Sequence, residues 1–111
     1  MSDFLRLMMG ATISSVLVKR TKLLKEGFII STVQTVDMGY ETAICDREGA
    51  QPVERYKTLE EAEKGHTKWE DFIVKGNRKV TKLGFASLVD DKEIDLIPCT
   101  LEELESGEMI P

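Results

Sequence analysis

One histidine, His66, and two cysteines, Cys45 and Cys99, are all that the chain holds of those residue types. The cysteines stand 54 residues apart, so the closely paired ligands of a conventional zinc site are missing. Two such cysteines make no disulfide framework and read as free thiols of a reducing compartment, with Cys45 a small core residue of a strand. No apolar run approaches the roughly 18 residues of a membrane span. The apolar start, MSDFLRLMMGATISSVLV, carries Asp3 and lacks the basic opening of a secretory signal. A soluble chain made in the cytoplasm, without a membrane span, is the expectation. No catalytic, cofactor-binding or metal residues are expected, because no cluster of the necessary types exists.

What is present begins with YKTLEEAEKGHTKWEDFI, residues 56–73. Thr58 and Glu61 spell a capping box, in which the threonine hydroxyl takes a helical N–H and the glutamate returns to the cap. Glu60, Glu61 and Glu63 put negative charge at the positive end of the helix dipole. Leu59, Ala62, His66, Trp69 and Ile73 recur at steps of three and four, with Phe72 widening the stripe, so one face is apolar. Lys64, Lys68, Glu70 and Lys75 point toward water, and Gly76-Asn77 supplies the stop. A helix over about 58–75 follows. His66 on the apolar stripe is expected to be a core imidazole bonded to a backbone carbonyl, ahead of a catalytic or metal role. Gly65 marks a close approach of another backbone, ahead of a bound ligand. Truncating Trp69 to alanine should cost about 3–5 kcal/mol if the ring is in the core.

Gly27–Val36 is rich in β-branched residues and predicts a strand. Asp37-Met38-Gly39 predicts a turn, and Tyr40–Cys45 its partner strand. Tyr40, Thr42 and Ile44 share one face of that strand, Glu41, Ala43 and Cys45 the other. Asp46–Gly49 is a second turn, and Val53–Tyr56 a third strand leading into the helix cap. Ala11–Leu23 leans toward a strand upstream. Val80–Val89, with Leu83, Phe85, Ser87 and Val89 on one side, and a short Ile94–Ile97 do so downstream. TLEELESG at 100–107 echoes TLEEAEKG at 58–65, so a short helix begins after Thr100; shared helix-start chemistry explains the echo. The fold class is α+β: a small antiparallel meander on one main amphipathic helix, with further strands before and after and a short C-terminal helix. Residues 1–111 form a single domain, with 27–76 as core and 90–111 as an acidic extension.

The net charge of −5 is unevenly distributed. Residues 90–111 hold eight acidic residues against Lys92 alone, leaving fourteen basic against twelve acidic in 1–89. Basic clusters lie at Lys19, Arg20, Lys22, Lys25 and at Lys75, Arg78, Lys79, Lys82. Aromatics are scarce in both, which disfavours nucleic acid. The acidic segment more simply pairs with a basic surface of its own or a neighbouring subunit. Lys19, Arg20, Lys22 and Lys25, with Glu102, Glu103 and Glu105, are therefore the candidate interaction surface.

Ile30-Ser31-Thr32-Val33, Tyr40-Glu41-Thr42-Ala43, Glu54-Arg55-Tyr56-Lys57-Thr58-Leu59-Glu60-Glu61-Ala62 and Gly65-His66 together resemble a family of small proteins common in bacteriophage and prophage genomes. The resemblance covers 27–73, under half of the chain. The chain departs from the family pattern in having only Asp37-Met38-Gly39 between the first two strands, where relatives often carry a longer glycine-rich loop. The resemblance implies a phage-type origin and brings no catalytic residue. Three functions stay open. One is a non-enzymatic virion or assembly component acting through protein contacts, including contacts with its own copies, made in the host cytoplasm and carried in the virion. Another is an inhibitor of a host defence or host enzyme that uses the acidic segment to fill a basic cleft. The last is a ligand binder or enzyme, centred on His66, which would need His66, Glu41, Cys45 or Glu54 to converge in a pocket.

Overall fold

The computed structural model describes residues 16–35, 39–84 and 91–106. Four strands, β1 (Val16–Leu23), β2 (Phe28–Thr35), β3 (Gly39–Asp46) and β4 (Gly49–Tyr56), are followed by helix α1 (Leu59–Val74). Short strands β5 (Lys79–Lys82) and β6 (Lys92–Asp95) and helix α2 (Leu101–Ser106) complete the order. The first four strands form an antiparallel meander in sequence order, and β5 pairs with β6 in a separate two-stranded ladder. The α+β class, the meander, the main helix and the short C-terminal helix are as the sequence reads.

Register follows from burial. Ile30 opposes Ile44 and Leu23 opposes Phe28, putting these side chains on the face that α1 covers. Phe28, Ile30, Ile44, Val53, Ile73, Val80 and Leu96 form the main core, flanked by Leu23, Trp69, Phe72 and Ile94. The opposite face holds a smaller cluster of Ile29, Cys45, Cys99 and Leu104. β2 is thus buried on both faces from Phe28 to Val33, which explains its near-continuous apolar and β-branched run. Ile44 and Cys45 fall on opposite faces, as the alternation of β3 predicts.

Each helix start is built by its threonine. Thr58 Oγ1 accepts the Glu61 N–H at 3.1 Å, while Glu61 Oε1 accepts from Lys57 N at 3.3 Å rather than from the cap residue itself. Thr100 and Glu103 close the reciprocal box at 3.1 and 2.8 Å.

Several boundaries differ from expectation. β4 starts at Gly49, four residues before Val53, because the Arg47-Glu48 turn lets Gly49 pair at once with Asp46. Pro52 is accommodated because β4 is an edge strand, and its carbonyl takes the Leu83 N–H at 2.9 Å. β6 spans Lys92–Asp95, displaced from Ile94–Ile97, since the Ile97 N–H is bound to the Asp46 carboxylate at 2.9 Å. Leu59 is 45% exposed although it continues the apolar stripe. The predicted residues 11–15, 36–38 and 85–90, including Phe85, Ser87 and Val89, lie outside the described residues.

The segment after β6 laces the end of the sheet. Ile97 O accepts from Arg47 N at 2.9 Å in the β3–β4 turn, and Cys99 N donates to Gly27 O at 2.8 Å in the β1–β2 turn. A Cβ on Gly27, at φ +92°, would come within 2.7 Å of Cys99 O, so both conformation and contact require glycine there. Buried Asp46 gathers N–H groups from Glu48 at 3.0 Å, Gln51 Nε2 at 3.1 Å and Ile97. The described part of the acidic segment, 91–106, is therefore fastened to the sheet, with Leu104 fully buried. Among the described residues no helix is long and apolar enough to cross a membrane.

Candidate functional site

The apolar stripe of α1 brings His66 down onto β1, β2 and β3, at the point where both central strands present threonine in place of an aliphatic residue. Thr32 and Thr42 occupy the same face as Ile30 and Ile44 and oppose each other in register. Their hydroxyls lie 2.6 Å apart, and Thr32 Oγ1 lies 2.7 Å from His66 Nδ1. On the other side of the ring, Thr21 Oγ1 lies 2.9 Å from Nε2 and donates to the Glu70 carboxylate. Beyond Thr42, Tyr56 Oη lies 3.1 Å from Thr42 Oγ1 and 3.0 Å from Glu54 Oε1. Glu54 Oε1 also accepts from Trp69 Nε1 at 2.9 Å and Lys68 Nζ at 2.6 Å. One continuous polar chain thus runs from Glu70 to Glu54 through five side chains on five elements.

Three expectations about this region are corrected. His66 is fully buried, but its partners are hydroxyls and not a backbone carbonyl, because the strands beneath it already spend their carbonyls in the ladder. Glu70 is only 23% exposed and faces the sheet, since it sits one turn beyond His66 on the same side of the helix. Gly65 does accommodate a close neighbour, and that neighbour is the ring of Tyr56, not a backbone.

Electrostatics follow the geometry. Burial lowers the His66 pKa below its ordinary 6.5, opposed by Glu70 and reinforced by Lys19, so the imidazole is neutral at neutral pH. Burial pushes the Tyr56 hydroxyl up to about 12, with Glu54 adding to the rise. Burial also works to raise Glu54, but hydrogen bonds from Lys68, Trp69 and Tyr56 outweigh it and hold the carboxyl below its ordinary 4.5. At this end an open cleft of about 570 Å³ is lined by Glu54, Tyr56, Lys57, Glu61, Gly65 and Lys68 among others.

Of the four residues named for a ligand-binding or catalytic reading, the structure brings two together and leaves two apart. His66 and Glu54 share the α1 face, whereas Glu41 and Cys45 lie on the opposite one. Glu41 is paired with Arg55 at 3.0 Å. Burial drives the Cys45 thiol up to about 12, the reverse of what a nucleophile needs. Among the described residues no group of three or more His, Cys, Asp or Glu could hold a metal ion.

The candidate interaction surface is also divided. Lys19 pairs in register with Thr32 and so lies on the α1 face, whereas Arg20 and Lys22, opposite Ser31 and Ile29, lie on the other; Lys25 is in the turn. Lys22 Nζ reaches the Leu104 carbonyl at 3.5 Å, and Arg47 reaches Glu103 at 3.9 Å, so the acidic helix does meet basic side chains of its own chain. Glu102 and Glu105 are exposed.

Sequence reasoning missed Thr21, Thr32, Thr42, Tyr56 and Glu70. A signal existed for two of them: Thr32 and Thr42 interrupt the buried parity of Ile30 and Ile44, and a buried hydroxyl demands a polar partner. Comparison with protein-family models, with curated proteins and with solved structures found no match.

Proposed function

We propose that this chain is a small non-enzymatic protein of phage type that works through protein contacts, as a virion or assembly component whose first partner is a second copy of itself. The observation that carries this reading is the outer edge of β1. Among the described residues no strand pairs with it, and it begins with Val16 and Leu17, 58% and 50% exposed. An edge strand offers unpaired N–H and C=O groups to an incoming strand. The bulge between Leu17 and Lys19 and the lysines that follow discourage indiscriminate pairing. Charge supplies selectivity: Lys19, Arg20, Lys22 and Lys25 fall in a stretch, 4–25, that holds no acid, while α2 presents exposed Glu102 and Glu105 and contains no base. A second copy therefore brings the complement of each patch. Enclosure of His66 and separation of Cys45 and Glu41 from it speak against an enzyme centred on these residues. A phage origin would put synthesis in the host cytoplasm and the assembled form in the virion.

The inhibitor reading draws on the exposure of Glu102 and Glu105 and requires binding to a basic host protein. Light scattering on the purified chain, over a wide concentration range at low and high salt, separates the two. Assembly predicts a mass that rises to a defined oligomer and falls back in Leu17→Lys. A salt-insensitive monomer throughout would overturn it.

A further inference from the structure

The chain from Glu70 to Glu54 has six links: Glu70–Thr21, Thr21–His66, His66–Thr32, Thr32–Thr42, Thr42–Tyr56 and Tyr56–Glu54. Each link needs one proton. The ends are carboxylates, which only accept. The three threonines, the tyrosine and a neutral imidazole each carry one proton to share, so five protons serve six links. With both ends accepting, donors left of some point must face Glu70 and donors right of it must face Glu54. At that point two lone pairs face each other.

Distance locates the gap. A lone-pair contact is least tolerable at His66–Thr32, 2.7 Å, and Thr32–Thr42, 2.6 Å, and most tolerable at Thr42–Tyr56, 3.1 Å, the longest of the six. Placing it there makes the imidazole carry its proton on Nε2, donating to Thr21, while Nδ1 accepts from Thr32. Thr32 then accepts from Thr42, and Tyr56 donates to Glu54.

We infer that the helix–sheet interface is a single-proton site: the folded chain takes up one proton at His66, and that proton supplies the hydrogen bond missing between Thr42 and Tyr56. The added proton sits on Nδ1 and donates to Thr32. Thr32 turns to donate to Thr42, and Thr42 turns to donate to Tyr56. All six links are then filled and no heavy atom need move. The charged groups facing the chain are Glu70, 3.4 Å from Nε2, with Lys68 on the same helix; Lys19 on β1; and Glu54 beside Tyr56 on β4. From β2 Thr32 bonds the ring directly, and from β3 Thr42 stands behind Thr32. Burial and Lys19 oppose the uptake, Glu70 favours it, and the completed link adds to Glu70.

Two variants remove the deficit without touching the ring. Thr42→Val leaves four protons for four links, and so does Tyr56→Phe. In either, protonating His66 completes nothing. The test is ring-nitrogen NMR of His66 in the full chain from about pH 8 to about pH 4.5. The expected result is an Nε2–H tautomer at the alkaline end and doubly protonated His66 in still-folded protein at the acid end. Proton affinity should be about three- to tenfold lower in whichever of Thr42→Val and Tyr56→Phe folds, and unchanged in Thr42→Ser. An Nδ1–H tautomer at the alkaline end would overturn the inference. So would unfolding before uptake, uptake by Glu54 or Glu70 with His66 still neutral, or unaltered affinity in the folded variant.

Discussion

The phenol ring of Tyr56 lies directly over the bare Cα of Gly65, so closely that a Cβ there would overlap the ring. Alanine at a helix interior position normally stabilises by about 1 kcal/mol relative to glycine. Here the sign should reverse. Gly65→Ala is expected to destabilise by about 2 kcal/mol, in the range of overpacked cores. In a Tyr56→Ala background the same change should become neutral or stabilising, which a double-mutant cycle in urea would measure.

Asp46 and Ile97 give the second prediction. Asp46→Asn keeps one acceptor oxygen but puts an amide N–H2 group against one of its donors. Breaking a charge-assisted buried hydrogen bond should cost about 1.5–3 kcal/mol. Hydrogen exchange should locate the damage, with the Ile97 amide losing protection ahead of the amides of β2. Equal loss everywhere would mean that Asp46 holds the whole sheet and not the lacing segment.

A pH dependence follows from His66. Its pKa in the folded chain lies below the ordinary 6.5 of the unfolded one, so on acidification the unfolded state binds the proton first. The stability it contributes is complete above 6.5 and is lost as pH falls below that value toward the folded pKa, where the loss levels off. Glu54, also lowered, adds a second loss that starts below 4.5. Urea midpoints should fall across the first window in the native sequence and stay flat there in His66→Asn.

Trp69 is only partly buried, stacked edge-on against Phe72 at 5.0 Å and bonded to Glu54. Trp69→Ala should therefore cost about 3 kcal/mol, the low end of large aromatic truncations, as read by denaturant unfolding.

The cysteines should be inert. Burial pushes Cys45 up to about 12 and Cys99 up to about 11, so thiolate is scarce at neutral pH. A thiol-reactive maleimide should label both only after urea is added; rapid labelling of Cys45 in the native chain would contradict its placement.

Helix α1 and the meander were legible because their signals are local. A capping box, a three-and-four spacing and a two-residue alternation all lie within one element. Leu59 shows the limit of that reading: spacing sets the angle around the helix axis but not how far the sheet reaches beneath it. The polar chain was not legible, because Thr21 and His66 are 45 residues apart and meet only once strand register is fixed. The lacing segment was misread for a different reason. Its attachments are backbone N–H and C=O groups, which leave no trace in side-chain pattern, so Ile94 and Ile97 suggested a strand two residues too late.

That lacing has a consequence for how the molecule is finished. Asp46 waits for a partner 51 residues further along the chain, and Ile29 and Cys45 wait for Leu104. The sheet can pair its own strands early, since its hairpins are short-range, but Ile29 and Cys45 on its second face lack Cys99 and Leu104 until residues 96–104 arrive. A growing chain would thus show its incompleteness as an open apolar patch beside a carboxylate whose Oδ2 still lacks the Ile97 N–H. Acquiring this segment hides both features in one closing event.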